Sequence, residues 1–448
     1  MKTLFIFRRD FRIIDNKGLN SLLENNDTIY PVFIFTPEQV TSNKYKSSNA
    51  IQFMVQSLLN LQKYIDITFC YGDMISIVTE IVTKNNITKI CTNTDYTPYA
   101  IKRDEEIKKL AVKLNVEFKY YHDILMFEPY TILNITNSLY KKFTPFYNKS
   151  IKMKVDAPVN IKLKNIMKPT TTFGITLSKI KKLYTENKML RVHGGRDNAI
   201  IILENINNYS DYDNTRDELS SDTTNLSAYL KFGCISIREA YHAIKKTKNT
   251  SLLRQLFWRE FYYHMGFGNI ERFGLSLKPS YDNIEWDDDT KIFKRWCDGT
   301  TGFPIVDACM TQLNTTGYMH NRGRLIVASF LIKNLHIDWR WGEKYFATKL
   351  VDYDPLVNQG NWQWVSGSGA DSMPYFRVFN PWLQSIKHDK MCIYIKRWLP
   401  VLEDVSCKHI HKWDEYNTLY NIKYNSPIID YNKSKIIMLA RYKKIFDV

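Results

Sequence analysis

The period of the apolar residues changes once along this chain, and that change limits what it can fold into. Residues 1–125 alternate strand-like and helical runs. TLFIFR (3–8), IYPVFIF (29–35), DITFCYG (66–72), TKICTN (88–93) and VEFKYY (116–121) are short and rich in β-branched and aromatic residues. Between them, IQFMVQSLLNLQKYI (51–65) and YAIKRDEEIKKLAVKL (99–114) carry the helical period. Such alternation predicts βαβ units, hence a doubly wound, Rossmann-like sheet of five parallel strands with helices on both faces. The glycine fingerprint of dinucleotide folds is absent after the first strand, where FRRDFRIIDN (7–16) stands instead.

Residues 126–190 lose this order. They are rich in Lys, Asn and Thr and read as a long connection between domains. From residue 191 the pattern is helical. LSAYLKFG (226–233), LLRQLFWREFYYHMG (252–266), FPIVDACMTQLNTTG (303–317) and NRGRLIVASFLIKNL (321–335) have helix-length apolar faces. The expected division is an α/β domain at 1–125, a connection at 126–190 and an all-α domain at 191–448. All ten tryptophans lie in the last part, the first at Trp258. Buried tryptophans are commonly core, yet their absence from the first part says that the two halves do different work.

Formal net charge is +16. It is concentrated in residues 149–191, which hold eleven basic and two acidic side chains. A polyanionic partner or a solvated lysine-rich face both fit that excess. Seven cysteines include no CxxC pair, so a zinc or redox pair is not expected, and free thiols suit a reducing compartment. No run reads as a signal peptide or membrane span, which predicts a soluble intracellular protein.

Three groups of residues could carry chemistry. Thr223, Thr224 and Ser227 flank a helix start, which suits either bound phosphate or an ordinary capping box. Asn321, Arg322 and Arg324 cluster on one helical turn. Asp352, Asp354 and Asn358 follow at short spacing, and an arginine could pair with one of these aspartates when buried. Paired carboxylates also raise glycosidase and metal readings, but no further acidic cluster accompanies them. The third is NQGNWQWVSGSGADSMPYFRVFNP (358–381), whose glycines and asparagines would let the backbone approach a ligand closely.

FRRDFRIIDNKGL (7–19), DYTPYAIKRD (95–104), FTPFY (143–147), GGRDNA (194–199), TTNLSAYLKFGCIS, QLFWREFYYH, TGFPIVDACMTQLNTTGYMHNRGR, DWRWGEKYF and NWQWVSGSGADSMPYFRVFNP follow one another in this order. Over nearly its whole length the chain resembles the photolyase/cryptochrome family. The resemblance implies FAD in the helical domain, active in its reduced anionic form. Tyr212, Thr223, Thr224, Leu226 and Ser227 match positions that hold its phosphates and ribityl chain, and Arg259 lies on the helix lining the pocket. Arg324 and Asp352 match a buried ion pair beside the flavin, Asp354 faces it from the same loop, and Asn358 matches the residue opposite its N5. Trp258 and Trp364 match the walls of a cavity that takes a flipped-out base pair. Trp362, Trp339 and Trp286 match a chain that relays an electron from the surface.

Within the family the lesion is read from a few positions. The (6-4) branch typically has two histidines where this chain has Asn321 and Leu325; an asparagine matches the branch that splits cyclobutane dimers. Dimer enzymes usually carry glutamate at the place of Gln255 and often methionine at Leu325, so both depart from that pattern. Gln255 keeps a donor for a carbonyl without a titratable proton. The expected activity is that of a dimer-splitting photolyase on UV-damaged DNA, with Arg322 meeting phosphate. The alternatives are (6-4) repair and light sensing, the latter disfavoured by the short sequence beyond the helical domain. Outside the family stand a nucleotide-binding ligase, for which no phosphate loop is found, and a non-catalytic flavoprotein that binds DNA. An antenna chromophore is expected to be optional and of unknown type, since Tyr99 and Ala100 replace the usual folate-binding pair. No obligate protein partner is expected, so the chain should act as a monomer.

Overall fold

The computed structural model describes residues 1–287 and 289–445, leaving aside the side chain of Leu177. The last three residues of the expected all-α domain, 446–448, therefore lie outside the described residues. Five parallel strands form one sheet: β1 (Lys2–Phe7), β2 (Thr28–Phe35), β3 (Thr68–Tyr71), β4 (Lys89–Asn93) and β5 (Glu117–Tyr121), in the order β3-β2-β1-β4-β5. Leu4 pairs with Tyr30 on one side and with Ile90 on the other. Each strand run expected from the sequence is present. So are the two helices, at Ser48–Gln62 and Pro98–Lys113, each opened by a hydroxyl cap from Ser47 or Thr97.

The continuous apolar runs of β1 and β2 follow from burial on both faces. Successive side chains point to opposite sides. Leu4 and Ile6 pack with Ile77, Val78, Ile81, Ile107 and Leu110 on one face. Phe5 and Phe7 face the other way, into a core that continues through Phe53 and Leu58 to Tyr229, Phe232 and Phe257 of the helical half. One core thus spans both halves. β5 is the exception: as an edge strand its residues are mostly exposed or half-buried.

The connecting region is more ordered than its sequence suggests. It forms a helix at Phe143–Ser150, and Ile166 and Gly174 make single bridges to Ile29 and Cys70 of the sheet. Phe143 and Phe146 are buried. Low periodicity here reflects short elements that lean on the sheet edge, where no long face needs to be covered.

In the helical half, helices at Leu226–Lys231, Thr250–Phe267, Pro304–Thr316, Asn321–Lys333, Trp339–Lys349 and Pro355–Ser366 surround the site described below. A buried ionic network joins the halves. Arg12 donates to Asp123 at 2.6 Å, while Arg238 donates to Asp123 and to Asp15, each at 2.8 Å. All four groups are buried, so each charge depends on its partners to offset desolvation. All seven cysteines are unpaired. Among the described residues no helix is long and apolar enough to cross a membrane, and no cluster of His, Cys, Asp or Glu is placed to hold a metal.

Candidate active site

The helices at 226–231, 250–267, 321–333 and 355–366 enclose a cavity of about 580 Å³. That volume is in the range of organic cofactor and ligand sites, about 300–1,000 Å³. Tyr212, Thr223, Thr224, Leu226, Ser227, Gln255, Trp258, Arg259, Asn321, Arg322, Arg324, Leu325, Asp352, Asp354, Asn358, Trp362 and Trp364 all line it. Of the residues singled out from the sequence, only Trp286 and Trp339 do not. Trp339 is buried in the core cluster that also contains Trp362, and Trp286 packs against that cluster, half-buried, edge-on to Tyr442.

The ion pair expected of Arg324 is formed. Its Nη2 donates to both oxygens of Asp352, at 3.1 and 2.9 Å, and its Nε to the Met319 carbonyl at 2.8 Å. Ser227 Oγ donates to Asp352 Oδ2 at 2.6 Å. Asn225, which precedes the helix, adopts a left-handed conformation (φ 53°) and makes no side-chain cap. The capping box considered for this segment is therefore absent; Thr224 Oγ1 instead accepts from Leu226 N at 3.5 Å.

Asp354 is held by residues distant in the chain. It borders the cavity, but its carboxylate is bound by Arg9 from the end of β1 and by the Tyr263 hydroxyl. Arg9 also donates to Asp95 at 3.1 Å and to the Lys231 carbonyl at 2.9 Å. Burial alone would raise the Asp354 carboxyl, yet the charges of Arg9 and Arg259 hold it below its usual range. Asp354 also caps the helix at 355–366 through Val357 N.

The segment from Asn358 begins as a helix and turns to loop only after Ser366. Residues 358–366 are helical, and Gly360 faces Tyr262: a Cβ there would lie 2.4 Å from its ring. Its glycine serves helix-to-helix approach. Asn358 itself borders the cavity. Its Nδ2 donates to Glu343 Oε1 at 3.1 Å, which leaves the amide oxygen as the acceptor available to a ligand.

On the opposite wall Trp258 lies flat against Phe143, with ring centroids 3.6 Å apart and planes 6° apart. Gln255 is turned back on its own helix, its Nε2 donating to the Ser251 carbonyl at 3.1 Å. Arg259 donates to the Ile124 carbonyl at 3.0 Å. Arg322 is not free at the surface: its Nη2 donates to Asp217 at 2.6 Å. Burial pushes the Tyr212 phenol up to about 12 and, with the nearby Arg9 charge, the Lys231 ammonium down to about 7.

Sequence reasoning missed Arg9, Phe143, Lys231, Asp217 and Glu343. Arg9 and Phe143 lie within FRRDFRIIDNKGL and FTPFY, so those blocks were visible while their contacts to Asp354 and Trp258, more than 100 residues away in the chain, were not.

The donor set suits FAD. The cavity lining brings together the hydroxyls of Thr223, Thr224 and Ser227, the Arg324–Asp352 pair, the Asn358 amide and the rings of Trp258 and Trp364. The family profile "DNA photolyase" matches residues 3–161, and "FAD binding domain of DNA photolyase" matches residues 252–444. A deoxyribodipyrimidine photo-lyase of Buchnera aphidicola (subspecies Acyrthosiphon pisum) is 36% identical over 470 residues, covering 99% of this chain and 97% of that protein. The crystal structure of an archaeal photolyase from Sulfolobus tokodaii with two FAD molecules superposes with a TM-score of 0.89 at 38% identity, covering 99% of this chain and 100% of that one. A class III photolyase from Agrobacterium tumefaciens gives 0.90 at 31% identity, covering 100% and 98%. This chain belongs to the DNA photolyase family.

Proposed function

We propose that this chain is a light-driven DNA repair enzyme that splits cyclobutane pyrimidine dimers in UV-damaged DNA back into two pyrimidines. The observation that carries the reading is the convergence on one cavity of two sets of residues. The Arg324–Asp352 pair and Asn358 form one set; Gln255, Trp258, Asn321 and Trp364 form the other. The name of the Buchnera relative supports the choice of lesion.

Reduced FAD, when bound here, supplies a light-excited electron to the dimer and takes it back after the ring opens. The chain's own residues bind and orient. Tyr212, Thr223, Thr224, Leu226 and Ser227 hold the phosphate and ribityl end, and Arg259 supports the pocket from the helix at 250–267. Arg324 and Asp352 present a fixed charge pair to the ring, and Asn358 an amide oxygen suited to an N–H. Trp258 and Trp364 wall the space for the flipped pair, where stacking contributes on the order of 1–3 kcal/mol per base. Gln255 and Asn321 offer amide donors to the dimer carbonyls, strengthening as charge develops there, and Leu325 packs beside them. Trp362, Trp339 and Trp286 form a route for re-reduction. Arg322 meets DNA phosphate.

Acid chemistry of the (6-4) kind has no support here. His320 is buried, its Nδ1 accepts from Arg322 N at 3.1 Å, and burial pushes it down to about 4, so it is neutral near pH 7. Leu325, one turn further along the helix, offers no second imidazole. We divide the chain at 1–125, 126–190 and 191–448 and expect it to act as a monomer in the compartment that holds the DNA. An antenna chromophore remains optional to the reading.

The test is repair of oligonucleotides bearing one defined lesion, after photoreduction and illumination. Intact thymines should be recovered from the cyclobutane dimer and not from the (6-4) product; the reverse outcome refutes the assignment. Gln255→Glu should raise the dimer yield, and an unchanged yield removes Gln255 from the site.

A further inference from the structure

The mouth of the cavity carries an acidic group where a DNA-binding surface would be expected to be purely basic. Arg216, Asp217 and Arg322 border the cavity together. Arg322 Nη2 donates to Asp217 Oδ1 at 2.6 Å, and the Arg322 Nε is buried without a hydrogen-bond partner. Guanidinium carries five donors in a fixed fork. With Nε buried and Nη2 held by Asp217, a bidentate acceptor such as phosphate must displace the carboxylate from Nη2. The pair is unequal: the Asp217 side chain is 42% exposed and that of Arg322 17%. Burial acts to raise the Asp217 carboxyl, but its bond to Arg322 and the charges of Arg322 and Arg216 hold it below the usual carboxylate range. It is therefore ionised at neutral pH. Its segment is tethered again by Arg191, which donates to Asp222 at 2.5 Å.

We infer that Asp217 is a specificity-determining residue that competes with DNA phosphate for Arg322 and so restrains binding of undamaged duplex. This rests on the reading of the chain as a DNA repair enzyme. An intact duplex meets the mouth only through its backbone, so it must displace a carboxylate to use Arg322. A lesion seated in the cavity adds contacts that offset the displacement. A partly exposed ion pair contributes little, so the carboxylate can yield when the extra contacts are present.

The experiment compares wild type with Asp217→Asn, Asp217→Ser and Asp217→Asn/Arg322→Ala, all as flavin-loaded protein in the dark. The probes are an undamaged duplex oligonucleotide and the same duplex with one cyclobutane thymine dimer. Flavin absorbance confirms that each variant is folded. Removing the carboxylate should tighten binding of undamaged duplex about two- to fivefold. It should also steepen the salt dependence by up to about 0.9 in log–log slope, as one more phosphate contact forms. Binding of the dimer-bearing duplex should gain less, so discrimination falls. The double variant should lose the gain. Unchanged or weaker binding of undamaged duplex by the folded Asp217 variants overturns the inference while leaving the repair reading intact. Wild-type protein that binds neither duplex overturns both.

Discussion

Asn358 and Glu343 are joined side chain to side chain: Asn358 Nδ2 donates to Glu343 Oε1 at 3.1 Å, and the Tyr353 hydroxyl donates to the same oxygen at 2.9 Å. The carboxyl is 8% exposed, and burial pushes it up against the opposing effect of these two bonds. Glu343 thereby fixes which end of the Asn358 amide is left for a ligand.

Glu343→Ala should release that amide. Leaving Asn358 Nδ2 and the Tyr353 hydroxyl unpaired costs about 1–3 kcal/mol. The ratio of flavin to protein absorbance after purification should fall, and urea unfolding should move to lower midpoint. Full flavin occupancy with unchanged stability would show that Glu343 does not hold the amide.

Among the described residues, Arg9 is the one group from the first domain that binds Asp354. Arg9→Met strands a buried carboxylate, for which losses of about 3–5 kcal/mol are typical. Arg9→Met/Asp354→Leu should recover part of this, because the Asp354 charge is gone while Asp95 still lacks its Arg9 partner. Denaturant melts of the two variants and wild type give the coupling; equal losses in both variants would contradict it.

Gly342 lies where a Cβ would come within 2.2 Å of the Trp362 ring. Gly342→Ala must push that indole aside or distort the helix at 339–349, with overpacking of about 1–3 kcal/mol. A lower midpoint, a shifted tryptophan emission and slower photoreduction should appear together. Wild-type values for all three would mean that the indole is loosely held.

Lys333 is buried and donates to the carbonyls of Tyr375 and Arg377 at 3.2 and 2.8 Å. Burial, with the charge of Arg377, pushes its ammonium down to about 7. A lysine with a lowered folded value binds fewer protons folded than unfolded between pH 7 and its ordinary 10.5. Its contribution to stability therefore falls as pH drops through that window, by up to about 1.4 kcal/mol per pH unit. Urea melts at pH 7, 8 and 9 should show this slope in the difference between wild type and Lys333→Met. A difference independent of pH would place the folded value near the unfolded one.

Much of the architecture was legible because it rests on period. Strands β1 and β2, buried on both faces, appear as continuous apolar runs, and the helices at 250–267, 304–316 and 321–333 show their faces. The site was legible only through ordered blocks matching a family; period alone identified none of its roles. What stayed hidden depends on contacts distant in sequence. Nothing local to Asp354 announces Arg9, and a glycine beside asparagines reads as a bend although Gly360 sits inside a helix against Tyr262. The connecting region misled for a related reason: Phe143 is one ring in a polar stretch, and only the fold lays it on Trp258.

That last contact bears on how such enzymes could be re-engineered. Since the ring backing Trp258 belongs to the stretch between the two halves, that stretch supports one wall of the cavity. Grafting a foreign spacer into this chain would take away the ring that Trp258 rests on, even with every helical residue left untouched.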